Sequence, residues 1–211
     1  MLSPEVSEFL EVFRPKTHAV VFYDSPEKRH DVLFSHLKFG ATKDEGLAYV
    51  YSEEDSFQVQ DGMKKFGIDV DGLKARNRLQ INNYNRVYIV DGKVNVPDVM
   101  ERFADLARKY RSIGLRGMRA AAEMSCFIKE NKVKDLISYE YALHRKLAFE
   151  AEGICGYNIH ELSRSGNLEL VMPLVRAHDP VIFAGPNQSL ILEPEKVEDK
   201  DVEEAMKIRV T

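Results

Sequence analysis

The residues most able to do chemistry near the start of the chain are Tyr23, Asp24 and Ser25, followed by Pro26-Glu27-Lys28-Arg29. They stand between an apolar run, His18 to Tyr23, and a stretch with helical spacing, where a nucleotide-binding α/β protein carries its phosphate loop. Such a loop needs GxxxxGK followed by Ser or Thr, because glycine conformations let consecutive N–H groups wrap the phosphates, the lysine adds charge and the hydroxyl holds magnesium. This loop has no glycine, Pro26 removes an N–H, and Asp24 and Glu27 put negative charge where phosphate would sit. Triphosphate hydrolysis is therefore not expected. Lys28 and Arg29 read as a solvated helix face, and Asp24 or Ser25 as the helix cap.

Further along, Arg116, Arg119 and Glu123 cluster in LRGMRAAAE, Tyr139-Glu140 lies in a helical stretch, and Cys155 and Tyr157 share ICGYN. A carboxylate such as Glu123 at a strand end is where a related enzyme would activate water. Cys155 reads as a small buried apolar residue, since no spacing brings His18 or His160 to it. The scattered histidines, His30, His36 and His144 among them, lack metal-ligand spacing, and Cys126 and Cys155 form no CxxC pair. No metal and no cofactor is expected.

These residues must be positioned by alternating elements. Ser3-Pro4-Glu5 starts a short amphipathic helix. Strands are expected over His18 to Tyr23, Gly46 to Tyr51, Leu79 to Ile81, Leu115 to Ala120 and Gly153 to Tyr157, and helices after Pro26, over Asp55 to Phe66, Val96 to Tyr110, Lys132 to Phe149 and Leu168 to Ala177. Val87 to Val94, around Asp91-Gly92, carries a hairpin signature, and Val181 to Ala184 with Ser189 to Leu192 reads as an antiparallel pair. The alternation predicts an α/β fold, a mostly parallel sheet covered by helices with an antiparallel C-terminal edge. Ligands of such sheets settle outside the strands' carboxyl ends, so Tyr23, Asp24, Ser25, Arg116, Arg119, Glu123 and Tyr157 are expected to converge there.

The run HAVVFYDSPEKRHDVLFSHLKFGATKDEGLAYVYSEED, then GLRGMRAAAEMSCF, DLISYEYALHRKL, ICGYN and AHDPVIF, in that order, resembles the MEDS family, the methanogen/methylotroph sensory domain. The resemblance implies a RecA/KaiC-like fold that has lost its phosphate loop, and a role in sensing small molecules of the hydrocarbon-derivative kind. It divides the chain into an N-terminal helix, 1–15, a sensory domain, 16–192, and a charged segment, 193–211.

With 211 residues, a net charge of −4 and a pI near 5.9, the chain fits one domain without the basic signature of a nucleic-acid binder. The acidic start MLSPEVSEFLEVF is no signal peptide, and no apolar run reaches the roughly 18 residues of a membrane span, so a cytoplasmic location is expected. The leading expectation is a non-catalytic sensory domain that binds a small molecule and signals through protein contacts, with homo-oligomers possible. The alternative is a divergent nucleoside triphosphatase or nucleotide-binding protein using Lys28, Arg29 and Glu123. A third class is a scaffold that contacts protein alone, through the first helix or the charged tail.

Overall fold

The computed structural model describes residues 2–143 and 147–192, and the expected charged segment 193–211 lies outside them. Its centre is a seven-stranded sheet ordered β3-β2-β4-β5-β1-β6-β7, made of β1 (His18–Tyr23), β2 (Gly46–Tyr51), β3 (Leu79–Asn83), β4 (Met118–Glu123), β5 (Glu152–Asn158), β6 (Val181–Ala184) and β7 (Ser189–Leu192). All neighbours pair in parallel except β6 with β7, which run antiparallel. The expected architecture is thus observed, including its antiparallel edge.

The inner strands are buried along both faces, which is why they read as continuous apolar runs rather than alternating ones. One face packs under α1 (Pro4–Glu11), α2 (Pro26–Thr42), α3 (Ser56–Lys65) and α4 (Val70–Ala75), through a core that includes Leu10, Val21, Leu33, Tyr49 and Val59. The other packs under α5 (Val96–Ser112), α6 (Ser125–Lys129), α7 (Val133–Leu143), α8 (Ile159–Arg164) and α9 (Val171–Ala177), through Phe22, Phe103, Phe127, Tyr139 and Leu174. Local capping explains the helix starts. Ser3 accepts from Val6 N–H, Ser25 from Lys28 N–H, and Asp55 with Gln58 closes a capping box.

Some expectations shift. The hairpin around Asp91-Gly92 reduces to one antiparallel bridge, Val90 to Lys93, after a 3₁₀ turn at Tyr84–Arg86. Asp91 and Gly92 do take the positive φ of 50° and 73° that such a turn requires, but no flanking strand pairs beyond it. The fourth strand begins at Met118 rather than Leu115, because Leu115 N–H still bonds back to Tyr110 after Gly114 turns at φ 88°. The helix expected over Leu168 to Ala177 opens with a 3₁₀ turn, Leu168–Leu170, before α9. Of the one expected over Lys132 to Phe149, α7 covers Val133–Leu143, residues 144–146 lie outside the described ones and Leu147 to Phe149 are not helical. Among the described residues no helix is long and apolar enough to cross a membrane.

Candidate functional site at the carboxyl edge of the sheet

Parallel pairing brings the ends of β1, β2, β4 and β5 to one edge, and the groups gathered there form a closed ionic cluster. Glu123, the last residue of β4, is fully buried; it accepts from the Tyr49 hydroxyl at 2.7 Å and from the N–H groups of Ser52 and Glu53 at 2.6 Å each. Glu53, just past β2, accepts from the hydroxyls of Tyr23 and Ser125 at 2.5 Å each and faces Asn158 Nδ2 at 3.4 Å. Between the two carboxylates lies Arg29, from the first turn of α2. Its guanidinium is 2.9 Å from Glu53, 2.8 Å from Glu54 and 3.4 Å from Glu123. His30 adds a contact of 3.0 Å to Glu54 and stacks on Phe34.

Arg29 is 0% exposed, so its expected place on a solvated face is corrected. One turn into α2 the side chain points back over the sheet edge, where three carboxylates make a buried cation tolerable. Burial is the largest single influence and opposes its charge, but Glu123, Tyr49, Tyr23 and Glu53 together outweigh burial and hold the guanidinium firmly protonated. The carboxylates divide. Burial lifts Glu123 above the usual carboxylate range despite Arg29. Burial pushes Glu53 the same way, but there the hydroxyls of Ser125 and Tyr23, together with Arg29, prevail and hold it below that range. Tyr23 itself is pushed well up by burial and by Glu53, so it stays a hydroxyl donor.

Of the expected site residues, Tyr23, Asp24, Ser25 and Glu123 do come to this edge. Ser25 caps α2, and Asp24 has a buried Oδ1 without a hydrogen-bond partner among the described residues. Arg116, Arg119 and Tyr157 do not join them. Arg116 precedes β4 and is exposed. Arg119 shares a face with Glu123 but sits at the amino end, where it meets Glu45 at 2.6 Å, Glu152 at 3.0 Å and the Leu10 carbonyl at 2.6 Å. Tyr157 pairs in register with Phe22, one residue from Tyr23, and side chains alternate between faces along a strand. Its ring therefore lies beneath the sheet, where its hydroxyl donates to Glu140. Arg29 is expected in a site only under the triphosphatase alternative, and the missed members, Glu53, Ser125 and Asn158, are legible only as polar residues at or just past strand ends.

Space for a small molecule lies on the other face of the sheet, the one that α5 covers. A cavity of about 320 Å³ opens between the β2–β3 side of the sheet and α5, lined by Val50, Gln80, Asn82, Arg86, Arg102 and Lys109 among others. Val50 and Asn82 are each the penultimate residue of their strand, so the cavity reaches the carboxyl edge. Three basic side chains and two amides outnumber the one carboxylate in its wall, Asp105, which leaves the lining polar and net basic.

Solved structures share this fold. An uncharacterised Pyrococcus horikoshii protein, solved in complex with an unknown peptide, is 16% identical and superposes with a TM-score of 0.64 over 93% of this chain and 93% of its own. A KaiC-like protein from Pyrococcus horikoshii OT3, also 16% identical, has a TM-score of 0.58 over 86% of this chain and 80% of its own. At such identities the likeness is one of fold, and the fold is KaiC-like. No curated protein sequence matches the chain. The profile of the methanogen/methylotroph, DcmR sensory domain matches residues 17–179, and the chain belongs to this MEDS family of sensory domains.

Proposed function

We propose that the protein is a non-catalytic sensor that takes up a small organic molecule at the carboxyl edge of the sheet and reports it through a protein contact. The observation that carries this reading is Arg29. The corner where a triphosphatase would hold phosphate is filled by the protein's own cation, already paired to Glu53, Glu54 and Glu123. An incoming phosphate would have to compete with three carboxylates for that one guanidinium, with no glycine loop to supply N–H donors.

The ligand is then assigned to the cavity under α5, on the other face of the sheet, where Arg86 and Lys109 suit a compact molecule carrying a carboxylate or another single anionic group. A ligand that binds the native state at a hundred times its dissociation constant adds about 2.7 kcal/mol to stability. Thermal unfolding against small organic acids, their neutral amides and magnesium nucleotides tests this. Expected is a raised midpoint with an organic acid, reduced in the Arg86→Ala, Lys109→Ala double variant and absent with ATP. Stabilisation by magnesium-ATP, with phosphate release abolished by Glu123→Gln, would replace the sensor with a divergent triphosphatase. Binding lost in Asp24→Asn but kept in the double variant would move the ligand to the first loop.

A further inference from the structure

On the opposite face of the sheet, four ionisable or metal-ligating side chains outside the carboxyl-edge cluster meet in the core. They are His18 at the start of β1, Cys155 in β5, Glu140 in α7 and His178 directly after α9, respectively 1%, 4%, 0% and 0% exposed. Sheet register brings the first two together: His18 pairs with Gly153, two residues before Cys155, so both project from the same face. Ligand atoms from all four lie within 4.8 Å of one another.

We propose that these four side chains form a divalent transition-metal site, with zinc the best-matched ion, bound through His18 Nε2, Glu140 Oε2, Cys155 Sγ and His178 Nε2. The spacing carries the first part of the case. His18 Nε2 is 3.3 Å from Cys155 Sγ and 3.5 Å from Glu140 Oε2, and His178 Nε2 is 3.2 Å from the same oxygen. Zinc bonds of about 2.0–2.3 Å in tetrahedral array put the ligands roughly 3.3–3.6 Å apart, so three edges of the tetrahedron are already present.

Unspent polar capacity carries the second. His178 Nε2 faces Glu140 Oε2 at 3.2 Å without an aligned hydrogen bond between them, and the Cys155 thiol bears on the same carboxylate. Buried polar atoms rarely go without a partner, and two that face each other without bonding point to a shared third atom. Their far sides are fixed as a ligand's outer contacts should be. His178 Nδ1 donates to the Leu174 carbonyl at 2.7 Å, which leaves Nε2 bare for a metal, and the Tyr157 hydroxyl holds Glu140 Oε1, which turns Oε2 inward.

Charge supplies the third. A carboxylate and a thiolate here would put two negative charges in the core, and a dication would neutralise both. Two imidazoles, one thiolate and one carboxylate suit zinc, whereas calcium or magnesium would require oxygen ligands. Four protein ligands make the site closed, hence structural or sensory rather than hydrolytic. A narrow cavity of about 30 Å³, with His18, Cys155, Tyr139, Leu143 and Leu147 in its walls, adjoins two of the ligands.

The test strips the whole protein with chelator and titrates it with zinc and with cobalt(II). Expected are one tightly held equivalent, a rise in unfolding midpoint that chelator reverses, and a thiolate-to-cobalt charge-transfer band. That band should vanish in Cys155→Ser and survive in Cys126→Ser. Tyr157→Phe, which releases Glu140 from its outer contact, should weaken binding about 10–100-fold. A wild-type protein that binds no equivalent, or binds cobalt without the thiolate band, overturns the proposal even if a variant fails to fold. So does a Cys155→Ser protein that binds as the wild type does. The small-molecule reading above would be untouched by either result, since it concerns the other cavity.

Discussion

Arg29 shows how much of the candidate site is decided by one side chain. Removing one partner of a buried, hydrogen-bonded ion pair commonly costs about 3–5 kcal/mol, because the remaining charges are left without compensation. Arg29→Met should therefore lower unfolding stability by about that much in urea titrations. Adding Glu123→Gln should restore part of the loss, since the two residues act as one unit. Additive losses in the double variant would mean that the pair at 3.4 Å contributes little. The sequence discloses Glu123, whose place after an apolar run marks a strand end. It hides Arg29, since a charged residue in a helix's first turn looks the same whether it faces water or a buried acid. It also hides the meeting of His18 with Cys155, 137 positions apart, which depends wholly on β1 and β5 being neighbours.

Elements were more legible than residues because period and punctuation are local. Pro4 after Ser3 and Pro26 after Ser25 mark helix starts that the structure keeps, and the apolar run Val20 to Phe22 could only be an inner strand. Strand order was not legible. That is why Tyr157 was grouped with Tyr23, although register sets them on opposite faces. The junction of β2 with α5 shows how tightly two elements can constrain one position. A Cβ built on Gly46 would lie 2.1 Å from the Tyr110 ring, whose hydroxyl donates to the Leu47 carbonyl at 2.7 Å. Gly46→Ala must push that ring off β2, at a cost of roughly 1–3 kcal/mol. Calorimetry should show the lowered midpoint, and Tyr110→Leu in the same chain should recover some of it by removing the clash.

At the scale of the whole molecule, the amino edge of the sheet makes stability depend on pH. Arg119 serves two carboxylates there, Glu45 and Glu152, with the Leu10 carbonyl of α1 on the same guanidinium. Burial lifts Glu152 from 4.5 to about 7; Arg119 opposes that shift, while Glu45 adds to it. Between those two values the folded chain keeps a proton that the unfolded chain has released, so stability falls as pH rises and the loss is complete above about 7. At about 1.4 kcal/mol per pH unit the penalty is on the order of 3 kcal/mol. Glu152→Gln, which cannot ionise, should gain midpoint relative to wild type between pH 5 and pH 7.5 in buffered melts. A constant difference across that range would locate the ionisation elsewhere. One strand joins the two faces of the molecule: β1 begins at His18 beneath the sheet and ends at Tyr23 above it, bonded to β5 on one side and β6 on the other. Paired on both flanks and buried on both faces, it holds the two side chains at one fixed separation. Were a ligand to strain Tyr23 and an ion to bind at His18, reciprocity would require each to bias the other's affinity by the same factor.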